Sequence, residues 1–373
     1  MKILFITPWY PDQQQPHSGI FIKTLAHALA NHHQVYVLSI KVDNHKFHPF
    51  RFSLSHSESD QMQEYRLVIS RSFPFLNQLV HLSIAWWQIK HLFKQKQITV
   101  LHSFIGYPGA ILGYLASRSL KIPWVHTEHT KLTNNYRSLW HRLCTRWGMK
   151  RADELTAVSQ WLATQIETDI QRSVKVIPNM INVDRFKLAV NSQDTPFNVG
   201  FLGGLNTSVK GLDILLKAFA QVKGHCHLHI GGAGTLLEYY KTMAKDLGLQ
   251  DRCTFYGFIN PEAITSFYQR LHLFICSSRY ETFNVSLLEA MASGLPVIST
   301  RCGGPEDFVN SENGILVPVE DVKALSEGII FMQDSIGKFD RTKIRSFVES
   351  RYESSVVVNQ VLQLYENLTK DFQ

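Results

Sequence analysis

Two glutamates, Glu281 and Glu289, stand eight residues apart in Ser277-Ser-Arg-Tyr-Glu-Thr-Phe-Asn-Val-Ser-Leu-Leu-Glu-Ala-Met-Ala-Ser-Gly-Leu-Pro296. Glu289 sits among Leu287, Leu288, Ala290 and Met291, where a carboxylate is expensive to bury unless a donor meets it. A vicinal diol such as a ribose supplies two donors; a solvated glutamate on a half-exposed helix is the plain alternative. The pattern predicts a helix from about Val285, whose N-terminal amides would point into the preceding loop and suit a diphosphate. There is no D-x-D anywhere, and no His, Cys and carboxylate set at metal-ligand spacing, so no metal site is expected. Gly231-Gly-Ala-Gly234 is not a G-x-G-x-x-G fingerprint and is expected to be a tight turn between a strand and a helix.

The elements that position these residues follow from periodicity. Short apolar runs at Lys2–Thr7, Val35–Ile40, Ile98–Phe104, Pro123–His129, Glu154–Ser159 and Val174–Pro178 alternate with helix-like stretches. After the polar stretch Asn191–Pro196 the rhythm resumes at Phe197–Gly203, His225–Gly232, Arg252–Phe258, Leu271–Ser278, Pro296–Cys302 and Gly314–Pro318. Ile22, Leu25 and Leu29 share one helical face, as do Leu212, Leu215, Leu216 and Phe219. The expectation is an α/β chain of two doubly wound parallel-sheet domains facing a cleft, lined by loops at the carboxyl ends of strands.

At 373 residues, with 45% hydrophobic and 18% charged residues, the composition supports two cores and excludes a disordered or fibrous chain. The net charge of +7 is uneven. Residues 1–190 hold 22 Lys/Arg against 11 Asp/Glu, whereas residues 191–373 hold 16 against 20, so the first half is expected to meet something anionic. No apolar run is long enough to span a bilayer and Pro8 interrupts the apolar start, which predicts a cytoplasmic protein. Five widely spaced cysteines without C-x-x-C predict buried thiols rather than disulfides.

The E-x7-E pair, followed by Ala290-Met-Ala-Ser-Gly-Leu-Pro-Val-Ile-Ser-Thr300 and Cys302-Gly-Gly-Pro-Glu306, resembles the donor-binding core of family-4 (group 1) retaining glycosyltransferases. Further segments carry the likeness through most of the chain. Met1–Pro11 with Ser18-Gly19 resembles the family's first strand and glycine loop, and Thr127-Glu-His129 its T-x-H turn. Val176-Ile-Pro-Asn179 with Val183-Asp-Arg-Phe186 resembles its interdomain linker, and Asn313-Gly-Ile-Leu-Val-Pro318 its NG-LVP turn.

The resemblance implies a GT-B fold. An acceptor-binding Rossmann-like domain would span 1–186 and a nucleotide-sugar domain 195–351, with a final helix over 352–373 crossing back to the first. It implies retaining transfer by front-face attack, the leaving diphosphate taking the acceptor proton. Glu289 would then hold the ribose hydroxyls, and Glu281 with the amides of Phe283, Asn284 and Val285 the donor sugar. Lys210 would neutralise the diphosphate, Gly19 would let backbone approach phosphates, and His129 would bond a sugar hydroxyl. For Lys210 the plain alternative is a solvated lysine, and for His129 a core histidine.

Two departures stand out. The family's G-R-L-x-x-x-K-G reads here Gly203-Gly-Leu-Asn-Thr-Ser-Val-Lys-Gly211, with Gly204 in place of the arginine. Arg279, or the hydroxyls and amides of Asn206, Thr207 and Ser208, are the candidates to replace that cation. Asn284 stands where the family commonly has glycine.

Between Lys131 and Arg151 lie Lys131, Arg137, Arg142, Arg146, Lys150 and Arg151 with no acid. On a helix Arg142, Arg146 and Lys150 form one stripe and Trp140, Leu143 and Trp147 its neighbour, a pattern suited to an anionic membrane surface. Core packing is the alternative, and Trp86-Trp87 is a second, weaker candidate. The expected partners are therefore a nucleotide-sugar donor (a UDP-sugar first, GDP-mannose next) and a saccharide or lipid-linked saccharide acceptor of surface polysaccharide or lipopolysaccharide assembly. No cofactor and no nucleic acid are expected. A sugar-nucleotide epimerase of the same fold and an inactive scaffold are the alternatives. Specificity is assigned to loops at Asp12–Ser18 and Asn44–Gln63.

Overall fold

The computed structural model describes every residue except 14, 16, 49, 60, 72–75, 132–137, 189–195 and 373, and for 44–47 the backbone alone. It divides into two compact units, Met1–Met180 with Val357–Gln373, and Ile181–Val356. The first division falls before the position expected at 186, because the intervening segment hydrogen-bonds within the second unit. Ile181 N donates to Tyr352 O at 2.9 Å, Val183 N to Glu353 Oε2 at 2.8 Å, and Phe186 meets the Tyr268 ring.

Among the described residues the first unit carries eight strands: β1 (Lys2–Thr7), β2 (Gln34–Phe47), β3 (Phe52–Ser59), β4 (Met62–Arg71), β5 (Val100–Phe104), β6 (Trp124–Glu128), β7 (Glu154–Ala157) and β8 (Lys175–Val176). Their order in the sheet is β3-β4-β2-β1-β5-β6-β7-β8, parallel throughout except for β3 against β4. Near-continuous apolar runs such as Ile3-Leu-Phe-Ile6 are what a strand buried on both faces requires. Ile3 and Phe5 pack with Ile22, Ala26 and Leu29 of α1 (Ile20–Ala30) and with Val357, Val361 and Tyr365 of α12 (Ser354–Asp371). Leu4 and Ile6 pack on the opposite side with Ala85, Ile89 and Phe93 of α2 (Asn77–Phe93) and Leu112 and Ala116 of α3 (Ile111–Leu120). The segment 44–63, expected to be an irregular specificity loop, instead contains the end of β2 and all of β3.

The second unit has β9 (Phe197–Leu202), β10 (Cys226–Gly231), β11 (Cys253–Gly257), β12 (Leu273–Cys276), β13 (Val297–Thr300) and β14 (Gly314–Val317) in the order β11-β10-β9-β12-β13-β14, all parallel. Chain direction across the sheet reverses between β9 and β12. In open parallel sheets the crevice beyond such a reversal is where ligands bind. Leu212, Leu215, Leu216 and Phe219 of α6 (Leu212–Gln221) are fully buried on one face of this sheet, as their spacing predicts. The Gly231–Gly234 segment is a turn, as expected, and Gly203 N and Leu205 N bond to its carbonyls.

Among the described residues no helix is long and apolar enough to cross a membrane. All five cysteines are unpaired; Cys226, Cys276 and Cys302 are buried, but Cys144 and Cys253 are only partly so, against the expectation that all are buried.

Candidate functional site

In the second unit the loops after β9, β12 and β13 converge on one carboxylate. Gly211 lies in the left-handed region (φ 67°), and a Cβ there would come within 1.9 Å of the Ser277 carbonyl oxygen. Only glycine allows that approach, which brings Lys210 to the end of β12. Ser277 Oγ donates to Lys210 O at 3.1 Å and Arg279 N to Val209 O at 2.8 Å, fastening the two loops together. The third loop joins through Glu281, whose N donates to Cys302 O at 2.8 Å and whose O accepts from Gly304 N at 2.9 Å.

Glu281 is 8% exposed, and its Oε1 accepts from Lys210 Nζ at 2.7 Å, Ser278 Oγ at 2.7 Å and Asn284 Nδ2 at 3.1 Å. Burial by itself would drive the Lys210 ammonium toward neutrality. Contact with Glu281 outweighs it and lifts the lysine above its usual range, so Lys210 stays charged. A half-buried, protonated lysine at the reversal point is a cation held in place by a carboxylate.

Asn284 explains its own departure from glycine. Its φ of 79° is the left-handed conformation that glycine adopts freely and asparagine tolerates. Its Oδ1 caps α9 (Val285–Ala292) by accepting from Leu287 N at 3.0 Å, while Nδ2 reaches Glu281 and Cys276 Sγ. The Phe283 ring is buried against Phe308 and Tyr352, so only its backbone is available to a ligand. The amides of Phe283, Asn284 and Val285 find no acceptor among the described residues.

Glu289 is half-buried and turns to a different neighbour, the Tyr268 hydroxyl, which donates to Oε2 at 2.9 Å. Sequence reasoning required a partner here and missed which one; Tyr268 lies on α8 (Ile264–Gln269), where the signal was one more tyrosine in an apolar helix. Burial raises the Glu289 carboxyl to about 7, against the opposing pull of Tyr268 and Arg185. Oε1 has no partner among the described residues, so one carboxylate oxygen is open to a hydroxyl.

Arg279, expected as a replacement for the missing cation, is paired with carboxylates. Nη1 and Nη2 grip Asp213 at 2.9 and 2.8 Å, Nε meets Glu320 at 2.8 Å, and Nη1 also reaches Ser208 O, so two carboxylates already neutralise the guanidinium. Asn206 Oδ1 accepts from Thr235 N at 3.1 Å and serves the glycine turn. Gly204 is exposed, and a Cβ built on it meets nothing within 4 Å.

His129 and Gly19 belong to the first unit. Gly19 caps α1 with φ 66°, and a Cβ there would lie 2.2 Å from Trp9 O, so close packing on its own chain demands glycine. His129 follows β6, stacked on Phe21 with ring centroids 4.2 Å apart. Burial, reinforced by His126, lowers its pKa to about 3, which leaves a neutral imidazole. Neither ring nitrogen has a partner among the described residues, and His129 lines a space of about 30 Å³ together with His102, Thr127 and Asn179. Glu128, which sequence reasoning passed over, secures the turn: its Oε1 accepts from His129 N, Thr130 N and Thr130 Oγ1 at 2.8–2.9 Å.

The basic helix is also partly redrawn. Arg142 and Arg146 of α4 (Leu139–Met149) both turn to Asp169 on α5 (Gln160–Ile170), so the arginine stripe is tied inward. What faces solvent is the apolar stripe, with Leu139 78%, Leu143 63%, Trp140 45% and Trp147 39% exposed. Arg137 lies outside the described residues.

Comparison with known proteins adds to this geometry. Residues 18–185 match the model described as Glycosyltransferase Family 4, and residues 182–341 the one described as Glycosyl transferases group 1. An uncharacterized glycosyltransferase of Methanocaldococcus jannaschii is 26% identical over 73% of this chain and 77% of its own length. The lipopolysaccharide core biosynthesis glycosyltransferase LpsE of Rhizobium meliloti is 31% identical over 43% of this chain and 47% of its own. Among solved structures, Anabaena HepE in complex with UDP superposes with a TM-score of 0.76 at 20% identity, covering 99% of this chain and 100% of that one.

Proposed function

Because the chain belongs to the group 1, family-4 glycosyltransferases of GT-B fold, we propose that it moves a hexose or N-acetylhexosamine from a nucleoside-diphosphate sugar onto a saccharide acceptor, with retention and without a metal. The observation that carries this reading is the Lys210–Glu281 contact of 2.7 Å at the strand-order reversal of the second unit. In this reading Lys210 stabilises the negative charge that develops as the bond between the anomeric carbon and the diphosphate breaks, which is the charge a metal would otherwise meet. The amides before α9 and the Glu281 carboxylate orient the sugar, and the open oxygen of Glu289 accepts a ribose hydroxyl. The acceptor oxygen bonds to the anomeric carbon on the face the diphosphate leaves, and the departing diphosphate oxygen takes its proton. His129, held neutral, is suited to both donate to and accept from a sugar hydroxyl.

A UDP-sugar is the first candidate donor, supported by the UDP complex of a structural relative, and GDP-mannose the second. A lipid-linked glycan of surface polysaccharide or lipopolysaccharide assembly is the acceptor class. The name of the Rhizobium relative and the exposed Leu-Trp stripe of α4, suited to the inner face of the cytoplasmic membrane, support it. One observation favours a second reading, an inactive scaffold: at Gly204 the family's arginine is missing, and Arg279 is already neutralised.

A thermal-shift series with UDP, GDP, ADP and NAD, with and without magnesium, separates the two. Stabilisation by one diphosphate without magnesium, lost in Glu289→Ala, supports the transferase and names its base. No shift with any of them favours the scaffold.

A further inference from the structure

The first unit holds an open basin of about 690 Å³ bounded by the β3–β4 hairpin, α1 and Pro11–Gln13. Antiparallel register sets Ser55 opposite Arg66 and Ser57 opposite Glu64, and strand periodicity puts all four side chains on one face. Along β3 serine occupies every second position from Ser53 to Ser59; the alternate residues include Phe52, near Trp87, and His56, which stacks on Tyr65 and also borders the basin.

The basin floor carries one buried carboxylate between two cations. Glu64 is 9% exposed and accepts from Tyr10 Oη at 2.6 Å. Arg66 Nη2 lies 3.7 Å and Lys23 Nζ 4.0 Å from its oxygens, close enough for charge attraction but too far for hydrogen bonds. Neither cation makes a hydrogen bond among the described residues. Their side chains stay about a third exposed, at 33% for Lys23 and 35% for Arg66. Lys41 and Asp12 pair with each other at 2.7 Å beside them. Among the described residues the arrangement therefore sets two cations against one carboxylate, with unspent ammonium and guanidinium donors and a row of hydroxyls that both donate and accept.

We propose that this basin holds the acceptor, and that the acceptor is an acidic saccharide: its carboxylate or phosphate sits between Lys23 and Arg66 while its hydroxyls meet Ser55 and Ser57. A guanidinium presents paired donors that match the two oxygens of such an anion, and its charge favours that anion over a neutral sugar. The assignment rests on reading the chain as a glycosyltransferase and adds the class of its acceptor.

The test titrates the full chain with glucuronate, glucose 6-phosphate, methyl α-glucoside and inorganic phosphate, following backbone amide shifts, and runs UDP in parallel. Expected is binding of glucuronate or glucose 6-phosphate about tenfold tighter than the methyl glucoside, weakened about tenfold by Arg66→Gln and by Lys23→Gln, with the UDP response unchanged. The stronger of the two acidic sugars tells carboxylate from phosphate. Ser57→Ala, on an exposed strand, tests the same site with little risk to folding, and a several-fold loss there is expected as well. Equal binding of the methyl glucoside, inorganic phosphate binding as tightly as glucose 6-phosphate, or indifference to both Arg66→Gln and Ser57→Ala each overturns the proposal. An acidic sugar that binds as expected while no nucleotide does supports the basin and removes the transferase reading instead.

Discussion

Asn284, from the N-cap of α9, and Lys210, from the loop after β9, bond to the same oxygen of Glu281, at 3.1 and 2.7 Å. The asparagine therefore does two things that glycine cannot: it fixes the carboxylate and it caps the helix. Asn284→Gly keeps the left-handed backbone and loses only those bonds, and about 1 kcal/mol of stability. Asn284→Ala adds the steric cost of a Cβ at φ 79° and loses about 2–3 kcal/mol. Urea denaturation of the two variants checks the order; equal loss would mean that the backbone conformation carries no cost.

Gly204, at the place of the arginine in the pattern this loop resembles, is bordered by open space. Gly204→Arg is expected to fold normally and to bind UDP about tenfold more tightly, since an added charge-assisted bond is worth about 1.5 kcal/mol. Lys210→Met moves in the opposite direction by 10-fold or more on the same scale. Calorimetric titration with UDP reads both, and an unchanged constant in Lys210→Met would remove this lysine from the diphosphate site.

The Glu289 carboxyl, raised to about 7 by burial, ties stability to pH. An unfolded glutamate releases its proton near 4.3, so between that pH and about 7 the folded chain holds a proton that the unfolded chain has lost. The stabilisation is complete below the unfolded value and fades as pH rises through 7. Glu289→Gln removes this titration. With solvent screening at a half-buried site allowed for, it should gain about 1–2 kcal/mol on the wild type at pH 8 and little at pH 4.5. Comparing the two proteins cancels Glu128, which burial also lifts to about 7. A difference that does not vary with pH would place the Glu289 carboxylate in water.

Leu143 is 63% exposed on α4, so Leu143→Ser should cost less than about 0.5 kcal/mol of stability. Its affinity for vesicles containing phosphatidylglycerol is expected to fall about tenfold, since each inserted leucine contributes roughly 1.5–3 kcal/mol. Arg142→Gln, by contrast, gives up a 3.6 Å ion pair to Asp169 that Arg146 keeps at 3.1 Å, and is expected to change stability by less than about 0.5 kcal/mol. Co-sedimentation decides, and unchanged binding in Leu143→Ser would leave the stripe as a surface without a membrane role.

The strands and helices of both units were legible where burial on two faces concentrates apolar residues, as at Ile3–Ile6 or Leu212–Phe219. The helix from Val285 and the need of Glu289 for a partner were legible for the same reason. The hairpin was not. All eight residues of β3 are exposed, so its alternation is of serine with mixed residues and carries no hydrophobic signal. Nor could spacing reveal that Arg279 is committed to Asp213, 66 residues away, or that Tyr268 serves Glu289, because those contacts are set by sheet order. The turn at Glu128 hid behind its neighbour His129, which drew attention through the T-x-H resemblance at a strand end.

β3 is hydrogen-bonded to a single neighbour and buries none of its residues, so its letters are nearly unconstrained by folding. Glu281 is the opposite case, held by three loops at once. Descendants of this sequence can therefore rewrite the strand freely while the carboxylate stays fixed. Lineages that diverge in the glycan they extend should accumulate their differences along residues 52–59 long before they touch the donor machinery.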